Sequence, residues 1–399
     1  MTAGSATRVG LPDPDAPDRG IERFVMRGPG PWTRPQRPIG SRRAYAAAHV
    51  VPQMWGDNTP GAPAAIDWDQ TLAIRHQIWS YGLGVADAMD TAQRGMGLDW
   101  PGARELIERS GREATAVGGM LACGAGTDQL AVADLPPGRG ALTAIVDAYR
   151  EQVAVVREAG ATVILMASRA LAAVAGSAQD FLDVYRTVLD SVDQPVILHW
   201  LGDMFDPTLA GYWGSTDILV ATGTFSELLT SHAEKIDGVK VSLLDADHEI
   251  GLRRTLPPGV RLYTGDDFNY PELIVGDGGE HSDALLGIFA AIYPAASTAL
   301  QALDAGDDAG ARRIFDSTQA LSRHLFAPPT RFYKAGIALL SWLNGHQRGF
   351  DMIGGLTSGR SVAHAVTAFR LADRAGLLTD PELAAHRIGL LLEIHGWTA

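Results

Sequence analysis

A lysine, Lys240, stands inside the run Ile236-Asp-Gly-Val-Lys-Val241, whose β-branched residues and turn-forming borders spell a buried strand of a parallel sheet. Removing an ammonium from water there is costly unless it is paired, and the usual escape is a lowered pKa and loss of the proton. A neutral buried amine attacks carbonyl carbon, the first requirement of Schiff-base catalysis. The alternative is a strand-end lysine that buries its stem and carries its charge to solvent. Other polar residues end comparable runs: His49, Asp90 with Thr91, Ser168 with Arg169, His199 with Trp200 and Asp203, Ser242, and Gly265-Asp-Asp267. Glu280, His281 and Asp283 accompany a last, weaker run. A lysine ringed by histidine, aspartate, threonine and arginine contains the parts of an imine site: a nucleophile and groups that move protons.

The elements decide whether these residues meet. Apolar runs at 45–51, 83–90, 115–123, 162–167, 195–200, 236–241 and 261–264, with the weaker one at 280–288, read as strands. Between them, 67–81, 101–112, 142–159 and 180–192 carry apolar residues at helical spacing, as Val146, Tyr149, Val153 and Val156 do. Repeated β-then-α units over residues 41–305 predict a (β/α)8 TIM barrel, in which active-site residues lie at the C-terminal ends of the strands. A doubly wound open sheet is the other arrangement, but no Gly-x-Gly-x-x-Gly follows the first strand. Residues 1–40 are rich in Pro, Gly and Arg and read as an extended arm lying on the domain or on a neighbouring subunit. Residues 306–399 read as a helical C-terminal extension, with helices at 309–324, 332–344, 361–375 and 381–394.

Composition narrows the function classes. A formal charge of −13 argues against non-specific binding to nucleic acid or to an anionic membrane. With Cys123 as its single cysteine, the chain has no internal disulfide framework and no thiolate metal cluster. No apolar run approaches the roughly 20 residues of a membrane span, and the first residues lack the charged-then-apolar order of a secretion signal. A soluble, cytoplasmic protein is expected.

Several short motifs, in order along the chain, sharpen the picture: Pro195-Val-Ile-Leu-His199, Gly238-Val-Lys240 with Asp245, and Thr264-Gly-Asp-Asp267. Ala48-His-Val-Val-Pro52 followed by Ile66-Asp-Trp-Asp69, and Gly160-Ala-Thr-Val-Ile-Leu165, extend the pattern over 45–305. Together they resemble the dihydrodipicolinate synthase/N-acetylneuraminate lyase superfamily, as a divergent branch of it. The resemblance implies a class I aldolase, lyase or dehydratase that binds a 2-keto acid as an imine on Lys240 and needs no cofactor. A homo-oligomer (dimer or tetramer) is expected, with residues 1–40 and the helices after 305 contributing to its contacts, because a Pro- and Gly-rich arm stays ordered only when it lies on something.

Three departures bear on chemistry. His199 occupies the position where the family carries a proton-relaying tyrosine. Asp90-Thr-Ala-Gln-Arg94 stands for Gly-Thr-Thr-Gly-Glu, so Thr91 keeps the relay hydroxyl while Ala92 removes a carboxylate donor. Arg169-Ala-Leu171 stands for Pro-Tyr-Tyr, so the tyrosine that the family donates across a dimer interface is absent there. The resemblance thus implies Lys240, His199 and Thr91 as catalytic residues, with Asp90, Arg94, Arg169, Ser242 and Asp266 on the substrate. Arg94 or Arg169 would replace the lost donor as a bidentate clamp. His199 is expected to titrate near neutrality and to act as general acid or base. The expected substrate is a keto acid or a sugar-derived ketone.

Two rival readings stay open. His49, His199, Asp203, Asp266 and His281 have the ligand types of a metal-dependent lyase or hydrolase, although no tight His-x-His pair occurs among them. A barrel that has lost its proton relay also fits a non-catalytic ligand-binding protein. His248-Glu249 and the arginine pairs at 42–43, 253–254 and 312–313 read as solvated surface.

Overall fold

The architecture follows from how the chain hides its apolar strands. A computed structural model describes residues 6–13, 20–277 and 279–397. Arg8–Pro12 (β1) and Ile21–Val25 (β2) pair as a two-stranded antiparallel ribbon. Eight further strands are parallel: Ala44–Ala47 (β3), Gly84–Asp87 (β4), Leu121–Ala125 (β5), Thr162–Leu165 (β6), Val196–Leu201 (β7), Ile236–Ser242 (β8), Arg261–Thr264 (β9) and Asp283–Leu286 (β10). They pair in chain order, and β10 returns to β3, so the sheet closes as a (β/α)8 barrel with no free edge.

Inside the barrel Tyr45 and Tyr263 meet at 6.1 Å between ring centroids, facing Ala47, Ala86, Ala122, Ile164, Ile197 and Leu285. The small residues make room for the two rings. Gly238 does the same beside Lys240, since a Cβ there would lie 2.6 Å from the Tyr263 ring. Outside the barrel a larger apolar layer joins the strands to the helices.

The first helix, Trp68–Ser80 (α1), starts at Asp67, whose side chain accepts from the backbone N–H of Gln70. It buries a charge that the sequence does not flag. Arg75 is 0 % exposed and bonds Asp87 of β4 through two contacts, Nη2 to Oδ1 at 2.7 Å and Nε to Oδ2 at 3.0 Å. Ser110 Oγ donates to the same carboxylate at 2.6 Å. Breaking a buried pair leaves an uncompensated charge, so Asp87→Ala should destabilise the fold by about 3–5 kcal/mol. Denaturant unfolding measures this, and a loss below about 1 kcal/mol, the range of a surface pair, would show that the pair is not structural.

One boundary and one surface assignment differ from expectation. The predicted strand 115–123 starts too early, because Thr115 lies in the last turn of the helix Trp100–Val117 (α2). Gly118 ends that helix at φ 65°, a left-handed conformation that glycine adopts freely, and β5 begins only at Leu121. Glu249, expected on solvated surface, is buried on Ala246–Arg253 (α3). It accepts from Thr264 Oγ1 at 2.9 Å and Ser282 Oγ at 2.8 Å, and burial pushes its carboxyl up to about 8.

After the barrel's last helix, Phe289–Asp304 (α4), come Asp308–Leu325 (α5), Tyr333–Leu343 (α6), Val362–Arg374 (α7) and Pro381–Ile394 (α8). Every residue of α6 is buried, as its almost wholly apolar sequence requires. The N-terminal segment lies on this helical unit of its own chain. Phe24 packs on Phe369, Arg370 pairs with Glu22, the Arg27 N–H donates to Asp373 and Trp32 Nε1 donates to Gly376 O at 2.9 Å. No helix among the described residues is long and apolar enough to cross a membrane.

Candidate active site

Lys240 sits on β8 with its neighbours set by the ladder: His199 of β7 on one side and Tyr263 of β9 on the other. Its side chain is buried. Burial lowers the ammonium pKa, opposed by the charges of Asp90 and Asp267. Gly265 keeps the position open, because a Cβ there would lie 2.2 Å from Ser242 Oγ and 3.0 Å from Lys240 Cε. Burial also raises the Asp267 carboxyl above the usual carboxylate range, although it accepts the Ile288 N–H at 2.8 Å.

His199 is buried beside this amine. Its Nε2 lies 3.3 Å from Ser242 Oγ, and its Nδ1 has no hydrogen-bond partner among the described residues. Desolvation, and then the Lys240 charge, hold the imidazole well below its ordinary pKa. The expectation of titration near neutrality therefore fails: dehydration of the barrel interior disfavours imidazolium.

A short turn, Asp90–Ala92, follows β4. The backbone before it is strained, with Ala88 at φ 50°, a left-handed conformation uncommon for a residue with a Cβ. Thr91 Oγ1 bonds the hydroxyl of Tyr333 at 2.6 Å, and both groups are buried. Tyr333 opens α6, stacks on Phe326 at 4.2 Å and meets Phe205 edge-on. Burial, reinforced by Asp90, raises its phenol well above the ordinary value. Sequence reasoning missed this residue because it lies 242 positions from Thr91.

A cavity of about 480 Å³ has Asp90, His199, Met166, Arg169 and Asp206 in its wall; Lys240, Thr91 and Tyr333 lie behind that wall and do not line it. Arg94 also borders it, but its donors are engaged. Nε and Nη2 bond Asp128, Nη2 also reaches Gln152 Oε1 at 2.8 Å, and Nη1 donates to Ala88 O and Gly124 O at 3.2 Å each. All five N–H directions of a guanidinium are thereby occupied. Arg169 is half-committed: Nε pairs with Asp206, while Nη1 and Nη2 lie against Gly95. Ser242 faces His199, as stated. The Asp266 carboxylate shapes its own turn, accepting the N–H groups of Phe268 and Asn269 at 2.8 and 2.9 Å and Asn269 Nδ2 at 2.8 Å.

The residues of the metal reading are dispersed. His49 Nε2 is held by Gln347 Oε1 at 2.8 Å, with burial driving its pKa down to about 4. Asp203 and His281 are exposed. Among the described residues, no group of three or more His, Cys, Asp and Glu is placed to hold a metal ion.

Comparison with solved structures gives the fold. The dihydrodipicolinate synthase of Thermotoga maritima superposes with a TM-score of 0.62 at 13% identity, over 85% of this chain and 100% of that one. The chloride-inhibited dihydrodipicolinate synthase of Acinetobacter baumannii, complexed with pyruvate, gives 0.62 at 14% identity, over 85% and 100%. The Aquifex aeolicus dihydrodipicolinate synthase gives 0.58 at 13% identity, over 89% and 98%. This chain therefore has the barrel fold of those proteins. Over residues 11–397 it matches the model of the family described as protein of unknown function (DUF993), and it belongs to that family. No curated protein matches the sequence.

Proposed function

We propose that this protein is a cytoplasmic Schiff-base-forming lyase, of aldolase or dehydratase type, acting on a keto acid or a sugar-derived ketone. One observation carries the reading: a buried lysine whose pKa burial lowers stands in ladder register with a buried histidine that keeps a nitrogen unpartnered in a cavity wall. A buried polar atom left without a partner calls for an explanation, and a bound substrate supplies one. The solved structure with pyruvate bound, in a protein of the same fold, supports a keto acid as the substrate type.

In this reading the neutral Lys240 amine adds to the substrate carbonyl, and the carbinolamine loses water to give the imine. Once protonated, the imine withdraws electrons from the carbon–carbon or carbon–oxygen bond that breaks. It is itself the electron sink, so the sequence of steps uses no further cofactor. In carbon–carbon cleavage His199 Nδ1 accepts the proton of the substrate hydroxyl, the departing fragment leaves as a carbonyl compound, and the imidazolium returns the proton to the enamine carbon. In dehydration Nδ1 takes the proton from the carbon next to the imine and gives it to the departing hydroxyl, which leaves as water. The hydrogen-bonded Thr91–Tyr333 pair relays protons. Asp90 accepts from substrate hydroxyls, and the open donors of Arg169 hold an acidic group. Arg94 and Asp266 position the walls. A homo-oligomer, dimer or tetramer, is part of the same proposal, but Tyr333 reaches Thr91 within one chain, so the relay needs no neighbour.

Borohydride reduction in the presence of a panel of 2-keto acids and keto-sugars tests this. Intact mass should rise by the substrate mass less oxygen, as water leaves and two hydrogens enter, and the adduct should map to Lys240. An adduct that persists in Lys240→Ala, or none with any member of the panel, counts against the reading.

A further inference from the structure

Lys334 follows Tyr333 and is the one charged residue of α6. It is 3 % exposed, and its only hydrogen bond among the described residues runs to the thioether sulfur of Met96, 3.3 Å from Nζ. The Tyr333 ring centroid is 5.0 Å away. A thioether is a weak acceptor, whereas an ammonium offers three donors. This cation is therefore buried with most of its hydrogen-bonding capacity unmet, which folding does not favour without return.

Its surroundings contain a second under-used cation. A Cβ on Gly95 would lie 1.7 Å from Nη1 of Arg169, so the guanidinium presses on Gly95 while the ammonium presses on the next residue, Met96. Two cations thus converge on one loop segment, Gly95-Met-Gly97, whose glycines form part of the cavity wall. Only one Arg169 donor, Nε, is paired with Asp206. Burial drives the Lys334 pKa down to about 8, with Asp90 and Asp206 acting to raise it and Arg169 and Arg331 to lower it. Met96 is partly exposed, lies between two glycines of the cavity wall, and has a flexible side chain.

We propose that Lys334 and Arg169 form an oxyanion subsite that takes a second acidic group of the substrate, a carboxylate or a phosphate, at the end remote from the carbonyl. Placing that end beside Met96 deepens the Schiff-base reading and rests on it for the position of the carbonyl. The substrate class becomes a dicarboxylic keto acid or a phosphorylated keto-sugar. Asp206 takes one donor of Arg169 and no carboxylate bonds Lys334, so an arriving oxyanion would convert the remaining donors of both cations into charge-assisted hydrogen bonds. Arg94 cannot serve, since its donors are already engaged.

The test uses probes with no reactive carbonyl. The full-length protein is titrated calorimetrically with inorganic phosphate and with malonate. Saturable binding of at least one is expected, and the tighter of the two distinguishes a phosphate from a carboxylate occupant. Lys334→Met should weaken it by roughly 10- to 100-fold, the scale of a hydrogen bond to a charged group, while Lys334→Arg retains most of it. Because Lys334→Met removes a buried charge, its thermal midpoint should not fall below that of the wild type, and Lys334→Gln serves as the second neutral variant. Lys240→Ala should bind the probe as tightly as wild type. Absence of saturable binding in wild type, undiminished binding in both neutral variants, or loss of binding in Lys240→Ala overturns the subsite. Probe binding that obeys these rules while borohydride trapping fails overturns the imine instead.

Discussion

Lys240→Ala is expected to abolish turnover, with a loss on the order of 10⁴-fold or more, as removal of a covalent nucleophile produces. Lys240→Arg should fail as completely, because a guanidinium keeps the positive charge and cannot form an imine at accessible pH. The pair of variants separates the two things a lysine offers. If charge alone mattered, the arginine variant would retain activity. The alanine variant also removes an amine whose burial disfavours its charged form, so its fold should tolerate the change. Steady-state assay with a substrate identified by trapping gives the answer, and arginine-variant activity within tenfold of wild type would end the imine mechanism.

His199→Phe should lower turnover by about 10²–10⁴-fold, the range of general acid–base assistance. The substitution conserves an aromatic body in the barrel wall and deletes both nitrogens. Slow imine formation on Lys240 should persist in it, since the amine is untouched. The pH dependence has a definite sign. Burial and the Lys240 charge hold His199 well below its ordinary value of 6.5, so the neutral imidazole is fully present at that pH and above. Activity dependent on it falls only as pH drops far below 6.5, through the lowered pKa. The acid limb of the profile should therefore lie well to the acid side of 6.5 and disappear in His199→Phe. A limb that stays unchanged in the variant would make His199 a packing residue.

These expectations join residues of unequal legibility. The barrel was readable because strand and helix periods are local properties: a run such as 236–241 reports its burial whatever surrounds it, and the repeated alternation leaves few ways to cover every strand. Lys240 was readable as a strand lysine for the same reason, but the run alone left open a charge carried to solvent on a buried stem, and the structure buries the side chain. The ladder partner His199 followed from the order of the strands. Tyr333 and Lys334 were not identified, although the segment Tyr333–Leu343 contained a signal: a single charge in a helix apolar on all sides.

Residue type and spacing by themselves determined the repeated β-then-α units, the strand that carries Lys240 and the polar residues at the strand ends. Only the tertiary structure decided which of those residues are free. Arg94 and Arg169 look equivalent in the sequence, yet Asp128 and Gln152 saturate one guanidinium while Asp206 takes a single donor of the other. Thr91 acquires its hydroxyl partner from 242 residues away, and Glu249 leaves the surface because its helix turns that side toward Thr264 and Ser282. The physical reason is common to these cases. Burial of an apolar face is encoded by local period, whereas the pairing of a buried polar group depends on which distant donor or acceptor the packing brings within about 3 Å.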